Sequence, residues 1–485
     1  MEARLYDVLI VGAGLSGIGA AYWLKTKCPD KDFIILEARN AVGGTWDLFR
    51  YPGIRSDSDM FTFGYRFKPW NSPTSLCDGP SILQYLQETA TENGIDGKVC
   101  YDHRVLSVNW SGKQASWIIR VQAKDRVKEM RSRFLYMCSG YYNYEEAYRP
   151  QFAGEENFRG TIIHPQFWPE DFSYAGKKVV VVGSGATAVT LVPAMAATAG
   201  HVTMLQRSPS YVMSIPNKNK LFSRLQTWLL NALAYKIARW QNLILGQAFY
   251  RLSRMLPNKV KTLLVKQAAK QLGEDYDVRA HFSPRYNPWD QRLCFVPDGD
   301  FFKAIRNGSA SVVTGEISRF TGDGVQLKSG KQLDADIVVL ATGLKLQLMG
   351  GARLFVDNKE VKTNEAMIYK GMMVSDVPNF AMAFGYINAS WTLKTDLTAN
   401  YICKLLRFMD KKGYGFVVPR RQNGVSPEPF LNFQAGYVHR ASHVLPKQGS
   451  KRPWRVYQNY LMDMVTIRFG RLKDGVLQFT AKAQS

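Results

Sequence analysis

Two glycine clusters, each preceded by an apolar run and followed by a helix-compatible segment, are the residues whose spacing most directly implies chemistry. Gly12-Ala13-Gly14-Leu15-Ser16-Gly17 follows Val8 to Val11 and precedes Ile18 to Leu24. In a strand–turn–helix context such glycines let the backbone approach a pyrophosphate, and the helix N-terminus offers unpaired N–H groups and the positive end of its dipole. A second apolar run, Phe33 to Leu36, ends at Glu37. A carboxylate about 20 residues past the glycines accepts hydrogen bonds from ribose hydroxyls. The other cluster, Gly183-Ser184-Gly185-Ala186-Thr187-Ala188, follows Val179 to Val182 in the GxGxxA variant. Its partner run, Val202 to Leu205, leads into Gln206-Arg207-Ser208, with no acid expected within reach. A guanidinium at that place pairs with the 2′-phosphate that distinguishes NADPH from NADH, whereas a carboxylate repels it. Arg207 is therefore expected to select NADPH, with Ser208 beside it.

Each cluster needs a sheet to hold it. Leu135 to Cys138 before Ser139-Gly140, and Ile337 to Leu340 before Ala341-Thr342-Gly343, read as closing strands of two such folds. The expected fold class is α/β: two Rossmann-like dinucleotide-binding domains with a helical insertion in the second. A chain of 485 residues is long enough for two or three domains. The boundaries drawn from the sequence are a first nucleotide domain over 1–145, a linker over 146–170, a second nucleotide domain over 171–213, a basic helical insertion over 214–300, the rest of the second domain over 301–372, and a return to the first over 373–485. Two dinucleotide folds in series suggest a flavin and a nicotinamide brought together for electron transfer and then oxygen chemistry.

Composition narrows the class. The hydrophobic share of 46% is that of a globular protein. Cys28, Cys77, Cys100, Cys138, Cys294 and Cys403 form no CxxC pair, which argues against a disulfide framework, a zinc site or any other metal centre, and favours a reducing cytoplasm. The apolar stretch from Leu5 to Leu24 is interrupted by Asp7 and four glycines, so it reads as strand, turn and helix, and no transmembrane helix is expected. The formal net charge is +23, and the 102 positions from Phe172 to Gly273 hold 14 Lys or Arg and no acid. No nucleic-acid recognition motif accompanies that charge, so no nucleic-acid partner is expected. Lys218 to Lys270 interleaves eleven basic residues with Trp228, Leu229, Leu230, Trp240, Leu243, Ile244, Phe249 and Tyr250. Two readings of it stand side by side. One is an insertion with a solvated basic face and an apolar core face; the other is a surface for peripheral association with the inner face of a membrane.

The segment between the glycine clusters carries a resemblance. Phe158, Gly160, His164, Trp168 and Pro169 match, in every fixed place, the linker signature of the type I Baeyer–Villiger monooxygenases, the class B flavoprotein monooxygenases. Gly43, Gly44, Trp46, Tyr51, Pro52, Gly53 and Asp57 match a second signature of that family in order. More narrowly, Gly43 to Met60, Ser139 to Tyr144, Asn287 to Cys294 and Tyr369 to Met373 resemble the mycobacterial ethionamide-activating monooxygenases.

The resemblance implies a non-covalently bound FAD, NADPH as reductant, O2 as oxidant, and ketone, thioether or thioamide substrates. It further implies a C4a-peroxyflavin that forms esters or lactones from ketones and S-oxides from sulfur compounds. By the same resemblance Arg292 is the catalytic arginine and Asp57 its positioning partner. Ser16, Glu37, Thr45, Trp46, Asp47, Asp57 and Val105 would line FAD together with Gly12, Gly14 and Gly17. Arg55, Gly183, Ser184, Gly185, Thr187, Ala188, Arg207 and Ser208 would hold NADP. Many relatives place a Lys before the arginine; this chain has Gln291 there, so phosphate recognition leans on Arg207 and Ser208. His164 reads as a hinge residue rather than a proton carrier, and Phe430 to Tyr457 is expected to supply substrate walls. The rival readings are an N- or S-hydroxylating flavin monooxygenase and, from another class, a basic membrane-surface or nucleic-acid binding protein on a degenerate nucleotide fold. A disulfide reductase is disfavoured because no CxxxxC pair follows the first cluster.

Overall fold

The computed structural model describes residues 4–431 and 436–482. Residues 432–435, within the stretch expected to wall the substrate, lie outside the described residues. The first half starts with β1 (Leu5–Val11), α1 (Leu15–Lys27) and β2 (Phe33–Leu36). Two short helices, α2 (Thr45–Leu48) and α3 (Met60–Phe63), and the longer α4 (Gly79–Glu92) lead to β3 (Val99–Cys100), β4 (His103–Ser111), β5 (Ser116–Ala123) and β6 (Arg126–Met137). The nine-stranded sheet runs Lys359–Glu360, Arg353–Val356, β4, β5, β6, β1, β2, β3, with Phe380–Met382 also on β6. The length of β6 makes this possible: Arg126 to Ser132 pairs antiparallel with β5, while Leu135 to Met137 pairs parallel with Phe380–Met382.

The chain leaves this half along β7 (Tyr142–Ala147), passes β8 (Thr161–Ile163), and enters the second half at β9 (Lys178–Val182), α5 (Ala186–Met195) and β10 (His201–Gln206). The insertion is α6 (Lys220–Leu225), α7 (Asn231–Met255), α8 (Pro257–Leu272) and α9 (Val278–Phe282), enclosed by the parallel pair β11 (Val212–Ile215) and β12 (Cys294–Pro297). Then come α10 (Asp300–Arg306), β13 (Ala310–Thr314), a meander of β14 (Ile317–Thr321), β15 (Gly324–Leu327) and β16 (Gln332–Asp334), and β17 (Ile337–Leu340). The second sheet is five-stranded and parallel throughout, in the order β13-β10-β9-β17-β8. Val179 to Val182 and Ile337 to Leu340 are all buried, the unbroken apolar pattern that a parallel sheet covered on both faces demands.

Both expected closing strands sit where the sequence placed them, β6 beside β1 and β17 beside β9. The linker differs from expectation. Its strand β8 is an edge of the second sheet, and β7 pairs antiparallel with the returning Leu344–Leu346, so the two crossings between the halves form one ribbon. The return is early as well: Arg353–Val356 already pairs with β4, ahead of the boundary drawn at 373.

The insertion departs in part. Its expected core face is present, with Phe222, Tyr235, Leu243, Val260, Leu264 and Leu272 buried, but Trp228, Leu230, Trp240 and Ile244 are exposed, so the apolar residues divide between two faces. Polar contacts add to the packing of Phe222 and Tyr235 on Phe61. Arg239 of α7 is buried and donates to the carbonyls of Phe61 (2.7 Å) and Gly64 (2.7 Å) at the end of α3, and to the Tyr235 hydroxyl (3.0 Å). A cation at a helix C-terminus meets the negative end of its dipole. The Asn242 amide donates to Asp59, the N-cap of α3, at 2.8 Å.

Candidate active site

One cavity of about 1190 Å³ lies between the halves and takes lining residues from both. It exceeds the roughly 300–1,000 Å³ of an ordinary small-molecule site, as two dinucleotides would require. The glycine turns form two cradles of the same design. Gly12 has φ +103, and a Cβ there would lie 2.7 Å from the Cys138 carbonyl oxygen at the end of β6. Gly183 has φ +140, and a Cβ would lie 2.3 Å from the Ala341 carbonyl oxygen at the end of β17. Neither α1 nor α5 has a side-chain N-cap or an acid in its first turn, so both helix starts keep their N–H groups for a ligand.

In the first cradle the Glu37 carboxylate accepts from the backbone N–H of Ala13 (2.7 Å) and of Arg39 (3.0 Å). Burial pushes its pKa up, and those two hydrogen bonds oppose the shift. Gly14, Ser16, Thr45, Trp46, Asp57 and Val105 face the cavity with it. Ser16 accepts from the Trp391 indole N–H at 3.0 Å, and Thr45 lies 3.1 Å from the Tyr144 hydroxyl. Two expected contacts stand back from the surface. Gly17 packs on the turn, where a Cβ would meet the Gly12 carbonyl at 1.8 Å. Asp47 is buried behind Arg39, which it holds at 2.6 Å while Arg39 faces the cavity.

In the second cradle Gly183, Ser184, Gly185, Thr187, Arg207 and Ser208 face the same space, while Ala188 is buried against the sheet, the packing role of the third small residue. The Thr187 hydroxyl bonds the Tyr51 hydroxyl, whose pKa burial pushes up to about 12. Arg55 lines the cavity with its guanidinium paired to Asp300 at the start of α10. The absence of an acid near Arg207 is corrected by the tertiary structure. Glu316, from the turn after β13, lines the cavity close to Arg207 and pairs with Lys328 at 2.6 Å. Its carboxyl is held below the usual carboxylate range, first by the bond to Lys328 and further by the charge of Arg207. Lys328 thus adds a cation at this end of the cavity, which Gln291 also lines.

Arg292, just before β12, meets Asp57 from the loop before α3, so the pair spans the two halves. The other arm of the guanidinium donates to the Ile387 carbonyl at 3.4 Å. Tyr142 and Trp391 line the same region, and burial raises the Tyr142 hydroxyl above its ordinary pKa while Arg292 lowers it. Trp391 stacks on Tyr141 with ring centroids 5.0 Å apart.

The linker signature lies elsewhere. Phe158 packs edge-on against Phe320 at 5.9 Å, and a Cβ on Gly160 would meet the Asp336 carbonyl at 2.3 Å. Trp168 and Pro169 border a separate pocket with Pro52 and Gly53. His164 does not line the main cavity. Its Nδ1 accepts from the Gln166 N–H at 3.2 Å and its Nε2 lies 3.3 Å from the Gly343 carbonyl, at the base of the crossing ribbon. Burial lowers its pKa, favouring the neutral ring.

Lys328, Glu316, Arg39, Tyr142 and Tyr144 were missed as site residues by sequence reasoning. The tyrosines had a signal, since they follow the Ser139-Gly140 turn at the end of a closing strand. Lys328 and Glu316 had none, because a meander delivers them.

Comparison with known proteins agrees with this layout. The family model for flavin-binding monooxygenase-like proteins matches residues 69–411, and that for NAD(P)-binding Rossmann-like domains matches residues 10–71. The chain is 50% identical over 478 residues to the FAD-containing monooxygenase EthA of Mycobacterium tuberculosis, covering 98% of each chain. It is 50% identical to the probable FAD-binding monooxygenase AlmA of Acinetobacter baylyi, covering 100% of this chain and 98% of that one. A solved structure of oxidised steroid monooxygenase bound to NADP superimposes with a TM-score of 0.77 at 19% identity, covering 99% of this chain and 100% of that chain. Two nucleotide cradles opening on one cavity, matched along nearly the whole sequence, place the chain in the flavin-binding monooxygenase-like family, whose FAD and NADP cofactors fit these two sites.

Proposed function

We propose that this protein uses NADPH and O2 to insert an oxygen atom beside the carbonyl of a ketone, giving an ester or lactone, and that it also oxidises thioethers and thioamides to S-oxides. NADPH supplies two electrons, one oxygen atom enters the product and the other leaves as water. The observation that carries the reading is the Arg292–Asp57 pair, contributed by opposite halves and facing the shared cavity. A bound FAD supplies the oxygen activation once NADPH has reduced it. The chain's residues then bind, orient and stabilise. Arg292 stays protonated at any working pH and donates through a rigid planar fork, so it stabilises negative charge on oxygen without releasing a proton. Asp57 and the Ile387 carbonyl fix the direction of that fork. Glu37 receives the ribose of FAD, the starts of α1 and α5 receive the two pyrophosphates, and Arg207 with Lys328 receives the 2′-phosphate of NADPH.

Purified enzyme with NADPH, O2 and a phenyl-substituted methyl ketone tests this by mass spectrometry of the products. An ester carrying one atom of labelled O2 is the expected result. NADPH consumption with only hydrogen peroxide, across ketones and sulfides alike, would overturn it.

A further inference from the structure

Beside its buried core face, the insertion carries a second set of apolar residues that point away from the protein. On α7, Ala234, Tyr235, Ala238 and Arg239 are buried towards α3, while Leu233, Ile237, Trp240, Ile244, Leu252 and Met255 are exposed and recur at helical spacing on the other side. The approach to α7 adds Trp228, 85% exposed, and Leu230, 84% exposed. An exposed cluster of large apolar side chains on a folded protein marks something that covers it. The charges around it have one sign. Lys236, Arg251, Lys259, Lys266 and Lys270 are exposed on α7 and α8, and positions 172–273 hold no Asp or Glu. Among the described residues, Arg254 with Asp290 is the one ion pair made from Lys218 to Lys270. No described helix is long and apolar enough to cross a membrane.

These features discriminate between occupants. A second copy seated on this face would bring two acid-free basic surfaces together, which like-charge repulsion opposes. An anionic bilayer satisfies both the apolar stripe and the cations, because an amphipathic helix lying in the interface buries its apolar side while its lysines meet phosphates. We propose that α7 and α8 form an in-plane docking surface for anionic phospholipid bilayers. Trp228 and Trp240 sit at headgroup level, and the lysines lie against the lipid phosphates. The buried side of α7 meanwhile braces α3 through Arg239 and Asp59 through Asn242, so the surface that meets lipid is rigidly joined to the loop carrying Asp57.

The test is flotation of the purified holoenzyme with vesicles of phosphatidylcholine alone and of phosphatidylcholine with phosphatidylglycerol, with tryptophan emission recorded in parallel. The enzyme is expected to float with the anionic vesicles, with a blue-shifted emission, and to stay behind with the neutral ones. Raising salt to roughly 1 M, where screening leaves a range of ~3 Å, releases it. Trp240→Ser with Ile244→Ser, and separately Lys259→Gln with Lys266→Gln and Lys270→Gln, are each expected to weaken binding at least about ten-fold. Both variants should keep the wild-type flavin absorbance and thermal midpoint, which shows that they fold. Absence of flotation with anionic vesicles overturns the proposal, as does equal flotation with neutral ones or undiminished binding by both variants. A wild-type oligomer that the apolar substitutions turn into a monomer, with vesicle binding unchanged, assigns the face to a second copy and also overturns it.

Discussion

The flavin half and the NADP half are built on one plan and part company at one position. Each has a strand, a glycine turn whose first Cβ position is blocked by the carbonyl of a neighbouring strand end, and a helix with an open N-terminus. After the second strand one half presents Glu37, its carboxylate fastened by two backbone N–H groups, and the other presents Arg207 near Lys328. The difference predicts that the turn supplies affinity for any pyrophosphate, while the side chain beyond the next strand supplies the choice of nucleotide. The halves also differ in their surroundings. The first sheet is extended by antiparallel strands and gathers Trp391 from a distant helix, whereas the second is a plain parallel sheet interrupted by the insertion.

The harshest way to break the comparison is to fill the cradles. Gly12→Val should give protein that purifies without flavin or not at all, because the side chain meets backbone at a positive φ; Gly183→Val should keep the yellow colour and lose reduction by NADPH. Visible absorbance and anaerobic reduction read both, and a Gly183→Val enzyme still reduced by NADPH would show that the second cradle does not hold it. Next in size is the residue pair between the halves. Arg292→Ala should retain flavin reduction and lower ester formation by about 10²- to 10³-fold, as removal of a donor to a developing oxyanion does; Asp57→Asn should fall in the same direction by less. Unchanged ester yields from Arg292→Ala would remove it from the chemistry.

A smaller effect sharpens the difference in nucleotide choice. Arg207→Ala should raise the KM for NADPH by roughly 10- to 100-fold, the equivalent of about 1.5–3 kcal/mol of charge-assisted bonding, and leave that for NADH nearly unchanged. Lys328→Ala should act in the same sense but more weakly, since Lys328 is shared with Glu316. An unaltered NADPH/NADH preference in both variants would transfer selection to other residues. The smallest effect is at the linker. Burial lowers the pKa of His164 below its ordinary value of about 6.5, so the unfolded chain binds the extra proton and stability falls as pH drops through that value. His164→Asn should flatten that acid-side decline in thermal midpoint and leave the pH profile of turnover in place. A turnover profile that loses its His-like limb would make His164 a proton carrier after all.

Local pattern made the nucleotide folds legible. Glycine spacing, flanking apolar runs and the residue after the second strand are contiguous features, and a strand–turn–helix unit closes on itself within a few tens of residues. That is why Glu37, Arg207 and the closing strands at Leu135 and Ile337 can be placed from the order of residues alone. It is also why Gly17, Asp47 and Ala188 fall at the right turns but not on the cavity surface: a motif fixes position along the chain, not the side on which an atom is exposed. Arg292 and Asp57, 235 positions apart, could be paired only by resemblance.

What the sequence determined by itself was the existence of two dinucleotide turns, their order and their contrasting charges, because each depends on interactions between near neighbours. Tertiary structure decided the rest. It put Glu316 and Lys328 beside Arg207, joined the two crossings into one ribbon next to His164, and turned the apolar stripe of α7 outwards. Each of these depends on partners far apart in the chain, and the buried Arg239 on the backbone carbonyls of α3 is an attachment that leaves no periodic trace in the sequence.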